Sequence, residues 1–139
     1  MMLGKYPAVV VSYNGDSRLA QIKLEPLDNG ADTALEAELM YPLGDKSNTA
    51  IEVLANDPVW VEFEAGDERY PIIVGYRNKR SGNADGWRRY HHHGSFEIKA
   101  EQEIVIEAGQ KITLKVAGSL LEIDPDMVKV TTPLTTFET

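Results

Sequence analysis

The sequence predicts an all-β fold in two unlike parts, and three observations carry the prediction. Residues 5–77 break into short apolar and polar alternations separated by turn residues. No long segment keeps a helical 3.6-residue period. From Ser95 onward an eight-residue repeat takes over, in which a two-sided strand is followed by a corner. At 139 residues the chain has room for one globular domain and a small appendage.

The first strand is Tyr6 to Tyr13, closed by the turn Asn14-Gly15-Asp16, and the second is Arg18 to Leu27 with Leu19, Ile22 and Leu24 apolar. Together they form a hairpin. Asp28-Asn29-Gly30-Ala31-Asp32 is a turn cluster, and Ala34 to Met40 reads as a third strand leading into Tyr41-Pro42-Leu43-Gly44. The fourth, Pro58 to Glu64, sets Val59, Val61 and Phe63 against Trp60, Glu62 and Glu64 on the other face. Ala65 to Arg69 turns the chain into the fifth strand, Tyr70 to Arg77. Five strands in this length with glycine-bearing corners fit a small Greek-key barrel of the oligonucleotide/oligosaccharide-binding type, an OB-fold, over residues 1–77.

Residues 78–94, with their glycines and basic side chains, read as a linker. The octads follow over 95–139. Phe96-x-Ile98, Ile104-x-Ile106 and Ile112-x-Leu114 are successive copies, with connectors Ala100-Glu101-Gln102-Glu103 and Ala108-Gly109-Gln110-Lys111. Leu121-x-Ile123 and Val128-x-Val130 continue the pattern at spacings of nine and seven. Such a ladder cannot bury its apolar row against itself, and an octad supplies only one face of a solenoid turn. Three chains, each giving one face, would close into a triangular prism, an intertwined trimeric β-helix. Its core would hold Phe96, Ile98, Ile104, Ile106, Ile112, Leu114, Leu121, Ile123, Val128 and Val130. Five layers at about 4.8 Å make a shaft roughly 25 Å long. The competing arrangement is an antiparallel meander packing its apolar row on the barrel.

Composition narrows the function. Without cysteine there are no disulfides, thiolate metal sites or cysteine nucleophiles. No run of about 18 apolar residues is present, and the start lacks a signal-peptide pattern, so the expectation is a soluble chain not exported by that route. A net charge of -8 opposes nucleic-acid phosphates and anionic lipids.

Val59-Trp60-Val61-Glu62-Phe63-Glu64-Ala65-Gly66-Asp67, followed by Pro71-Ile72-Ile73-Val74-Gly75, resembles the motif that ends the barrel of baseplate assembly protein V, the central spike family of contractile-tailed phages. Type VI secretion spikes share it. The octads, with Ala117-Gly118-Ser119 and Ile123-Asp124-Pro125-Asp126, are similar to the trimeric β-helix that follows that barrel. The resemblance covers nearly the whole chain. It implies a homotrimeric needle at the virion's tail baseplate tip, made in the host cytoplasm, with the barrel end on a hub protein. Sheath contraction would drive it through the host outer membrane, as mechanical work without enzyme activity or cofactor. Larger members add hub or lysozyme domains, for which this length leaves no room, so separate proteins would supply them. Some related spikes end in a histidine tip that binds iron, whereas no histidine follows His93. The end implies either an apolar closure by Leu134 and Phe137 or a blunt platform capped by a separate tip protein.

Three groups invite other chemistry. His91, His92 and His93 could ligate a metal, but adjacent residues on an extended chain face alternate sides, which favours a polar neck at the barrel-to-shaft junction. Arg77, Lys79, Arg80, Arg88 and Arg89 beside Trp87 and Tyr90 imitate a nucleic-acid patch within an acidic chain, and pairing with carboxylates of neighbouring chains is the expected role. Glu62, Glu64, Asp67 and Glu68 could be imagined as a glycosidase pair, although nothing singles out one acid for burial. The alternative function is an OB-fold module that binds oligosaccharide or single-stranded nucleic acid and is trimerised by its repeats. The same spike in a secretion or tailocin particle is the third reading.

Overall fold

In the computed structural model, which describes residues 1–25, 34–80, 82 and 84–134, every regular element is a strand apart from one 3-10 turn. The described chain divides into two units, Met1–Ser95 and Phe96–Thr139.

In the first unit, period-2 alternation makes five strands: β1 Tyr6–Asn14, β2 Leu19–Leu24, β3 Leu35–Leu39, β4 Pro58–Phe63 and β5 Pro71–Tyr76. Both β2 and β4 bury every second residue, the mark of a sheet with one face inward. The strands close into a barrel in the order β1-β2-β3-β5-β4. Neighbours run antiparallel except β3 and β5, which pair parallel. Two irregularities help the sheet curl: Val11 is extra between the Val10–Ile22 and Ser12–Gln21 pairs, and Val74 between the Val61–Ile73 and Trp60–Gly75 pairs. A closed five-stranded barrel is compatible with the OB type.

Its core is Ala8, Val10, Ala20, Ile22, Leu24, Ala37, Val59, Val61, Phe63 and Ile73, where three alanines among larger side chains suit the narrow interior. Tyr6 meets Phe63 edge-on at 5.5 Å. The β4–β5 corner is a 3-10 turn, Glu64–Gly66, with Ala65 at φ 51° and Gly66 at φ 76°. The Gly66 carbonyl accepts from the Met2 N–H at 2.8 Å. The turn cluster Asp28–Asp32 and the end of the second predicted strand lie outside the described residues, as does Phe137. Residues 78–94, read from sequence as a linker, form no strand where described and belong to the first unit.

The second unit contains β6 Ile112–Val116, β7 Ser119–Ile123 and β8 Val128–Thr131, paired antiparallel in that order. The octads at Phe96-x-Ile98 and Ile104-x-Ile106 are not strands within this one chain. Residues 96–111 make no backbone–backbone hydrogen bond to any described residue, and a strand exists only where its backbone has a partner. Among the described residues no helix is long and apolar enough to cross a membrane.

Candidate functional site: an unpartnered apolar sheet face

Antiparallel register puts directly opposed residues on the same face, so the pairings of β6–β8 sort its side chains. Ile112 opposes Ile123, which opposes Val128, and Leu114 opposes Leu121, which opposes Val130. Six residues predicted as core of a prism therefore form two apolar rows on one face. Val116, not singled out from sequence, extends it opposite Ser119. Thr113, Glu122 and Lys129 line up on the reverse, beside the row Lys115, Leu120 and Thr131. Lys111 and Glu122 form an ion pair at 3.1 Å.

Among the described residues the apolar rows have no adequate cover. Leu114 is 56% exposed, Val128 68% and Val130 50%, and no described residue of this unit is among the buried core. At the end of the face nearest the β6–β7 turn, Leu114, Val116, Leu121, Val130 and Leu134 help line a cleft of about 390 Å³. The predicted tip residue Leu134 is exposed. Phe96, Ile98, Ile104 and Ile106 are exposed too, in the segment whose backbone is unpaired.

Two turns fix the sheet. Val116-Ala117-Gly118-Ser119 joins β6 to β7 with Ala117 at φ 47°. Between β7 and β8, Asp124 Oδ1 accepts the N–H groups of Asp126 and Met127 at 2.9 Å each, and the Asp124 N–H donates to the Met127 carbonyl at 3.0 Å.

In the first unit, the histidines find a carboxylate that sequence reasoning missed, 41 residues away. Glu52 accepts the His93 backbone N–H at 2.8 Å and lies 2.6 Å from its ring Nδ1, with His92 Nδ1 at 3.9 Å. The rings of His91 and His93 are 4.6 Å apart. Hydrogen bonding to the His93 ring, then to its backbone, holds the Glu52 carboxyl below its ordinary value. Among the described residues no group of three or more His, Asp or Glu is placed to hold a metal ion.

Three of the five basic residues, Arg77, Arg88 and Arg89, are engaged within the same chain. Arg89 grips Asp85 through two bonds, at 2.8 and 3.0 Å, with its guanidinium over Trp87. Arg88 reaches the Tyr90 hydroxyl, and Arg77 lies over Trp60 and 3.6 Å from Glu25. Of the acids, Glu62 pairs with Lys5 at 2.9 Å, and Arg69 clasps Asp67, whose carboxyl it holds down to about 2.

One polar site on the barrel had no sequence signal. Two clefts, of about 430 and 290 Å³, flank Arg18 and Tyr41. Arg18, at φ 59°, places its guanidinium over the Tyr41 ring and donates to the Ser47 carbonyl. Burial first, and nearby Tyr41 second, push the Tyr13 hydroxyl up. The two hydroxyls do not reach hydrogen-bond geometry, and that of Tyr41 is buried without a partner among the described residues.

Compared with known proteins, the chain matches no family model and no curated sequence.

Proposed function

We propose that this chain is a structural protein, the homotrimeric central spike of a contractile injection machine, in which the C-terminal repeats of three copies form one β-prism. The observation that carries the reading is the pairing of two deficits in one unit, among the described residues: an apolar sheet face without cover and sixteen residues, 96–111, of unpaired backbone. Scattered apolar side chains need no explanation, but a contiguous row does. Copies of the chain supply what both features lack, because each brings the same apolar row and the same free strand edge. At roughly 60 to 120 Å² of apolar area per aliphatic side chain, the exposed positions present on the order of 600 Å² per copy. A standard interface takes about 800 Å² per partner.

The intended use is mechanical. With its strands bonded to those of other chains, the shaft unravels only by breaking many bonds together. The OB-type barrel end meets a hub protein, and the tip is closed by Leu134 and Phe137 or by a separate cap. The resemblance of the barrel motif and octads to the phage spike family is what favours this machine over other trimeric stalks.

Light scattering, with an unboiled detergent gel beside it, tests the reading. A mass of three chains that persists in detergent until boiling is expected. A single-chain mass sinks the spike.

The clefts beside Arg18 and Tyr41 favour a second reading, a barrel that binds an oligosaccharide or a nucleic-acid strand. Quenching of Trp60 or Trp87 by oligonucleotides, falling steeply with salt, would support it.

A further inference from the structure

Within the second unit, β6–β8 and residues 96–111 differ in what a single chain can satisfy. The sheet completes its own ladder, with five residue pairs between β6 and β7 and four between β7 and β8. Both its turns are short, so its contacts are local and are made early and cheaply in entropy. Residues 96–111 obtain no backbone bond from the described chain, so their ordering is rewarded only when other strands arrive.

Register is the second difference. In 96–111 the units Phe96-x-Ile98 and Ile104-x-Ile106, with their near-copied connectors, look alike after a shift of eight residues. Three such chains could pair one octad out of step while keeping apolar residues inward, because an even shift preserves the face. From Leu114 onward the spacings change to nine and seven, and the turns Ala117-Gly118 and Asp124-Pro125-Asp126 break the copy. A slipped sheet would set Ile112, Ile123 and Val128 against the wrong row.

We propose that β6–β8 is the registration unit of the trimer: it folds within each chain, associates first through its apolar face with two other copies, and thereby aligns 96–111, which becomes strand only in the assembly. The inference rests on the trimeric reading above and adds to it an order of events and a division of labour. The occupant of the face is the same face of another copy. Once three sheets meet, the adjoining segments are held at high effective concentration, and their pairing no longer costs a three-body encounter.

The test is made on the full chain by light scattering together with hydrogen exchange resolved to peptides, using β4 as an internal control for the barrel. Wild type should show three-chain mass with 96–111 and 112–131 both protected. Val130→Asp should give single-chain mass and at least a hundredfold faster exchange across 96–111, with β4 unchanged. Ile106→Asp should keep the three-chain mass and the protection of 112–131, losing protection only around 96–111. Should Val130→Asp aggregate, Val130→Thr keeps the shape and should raise the concentration needed for the trimer at least tenfold. Dissociation by Ile106→Asp, or a trimer with 96–111 protected in Val130→Asp, overturns the registration role while leaving the trimer standing. A monomeric wild type overturns the trimer itself.

Discussion

The barrel and the C-terminal sheet are written in the same alternating code, yet only one of them buries what it hides from water. In β2 every second residue is buried, and Ile22 is fully so. In β8 the alternation Val128-Lys129-Val130-Thr131 is as regular, and all four residues are exposed. The difference is closure. Five strands that return upon themselves through the parallel β3–β5 pair enclose both an apolar face and the sheet edges. Three strands in an open meander enclose neither, so the same pattern is left exposed.

The largest expected effect breaks the barrel directly. Ile22→Ala should remove about 2 to 5 kcal/mol from the first unit by opening a cavity among Val10, Val61 and their neighbours. Its denaturation midpoint, followed by Trp60 fluorescence, should not change with protein concentration. Leu114→Ala should cost roughly 2 kcal/mol per chain and act differently, on a transition that moves to lower temperature as the protein is diluted. If both transitions ignore concentration, the sheet face is not an interface between copies.

How much of this was legible in the sequence follows from which interactions are local. The strands β1 to β5 were legible because alternation and turn residues are local signals, and they place Val59, Val61 and Phe63 on one buried face. The shared face of Ile112, Leu114, Leu121, Ile123, Val128 and Val130 was legible for the same reason. Their antiparallel pairing inside one chain is the strand arrangement of the competing meander rather than of the prism, because periodicity fixes which side a residue takes but not whose strand lies beside it. Glu52 beside His93 and Arg18 over Tyr41 were invisible, since both unite residues brought together only by the folded chain. A histidine triplet in sequence advertises metal chemistry, while its carboxylate partner gives no local sign.

Acid separates the two units in another way. Glu52 and Asp67 in the first unit have carboxyls held below their ordinary values by His93 and Arg69. A depressed folded value means that the unfolded chain binds protons first as pH falls. The stabilisation is therefore present above pH 4.5 for Glu52 and 3.8 for Asp67, and it is lost on acidification, for Asp67 down to about 2. Both carboxylates keep contact with solvent, their side chains being 20% and 30% accessible, so the effect is modest and screened by salt. Glu52→Gln should flatten the pH dependence of the barrel's melting temperature just below pH 4.5, and Asp67→Asn should flatten it between about 4 and 2. An unchanged profile in Glu52→Gln would mean that the His93 contact does not hold in solution.

The smallest effect tests how firmly the sheet is specified before any partner arrives. Ala117 sits at φ 47° in the β6–β7 hairpin, a left-handed conformation that costs an L-residue with a Cβ about 1 to 2 kcal/mol. Ala117→Gly relieves that strain, and the added freedom of the unfolded chain returns part of the gain. The net expectation is a stabilisation of about 0.5 to 1 kcal/mol. It should appear as slower hydrogen exchange across 112–123, with the barrel strands unaffected. If the hairpin forms within each chain, the gain is present at every concentration, including those too dilute for any association of copies. A gain confined to the assembled protein would mean that the turn is imposed by neighbouring copies and that β6 and β7 pair only in their company.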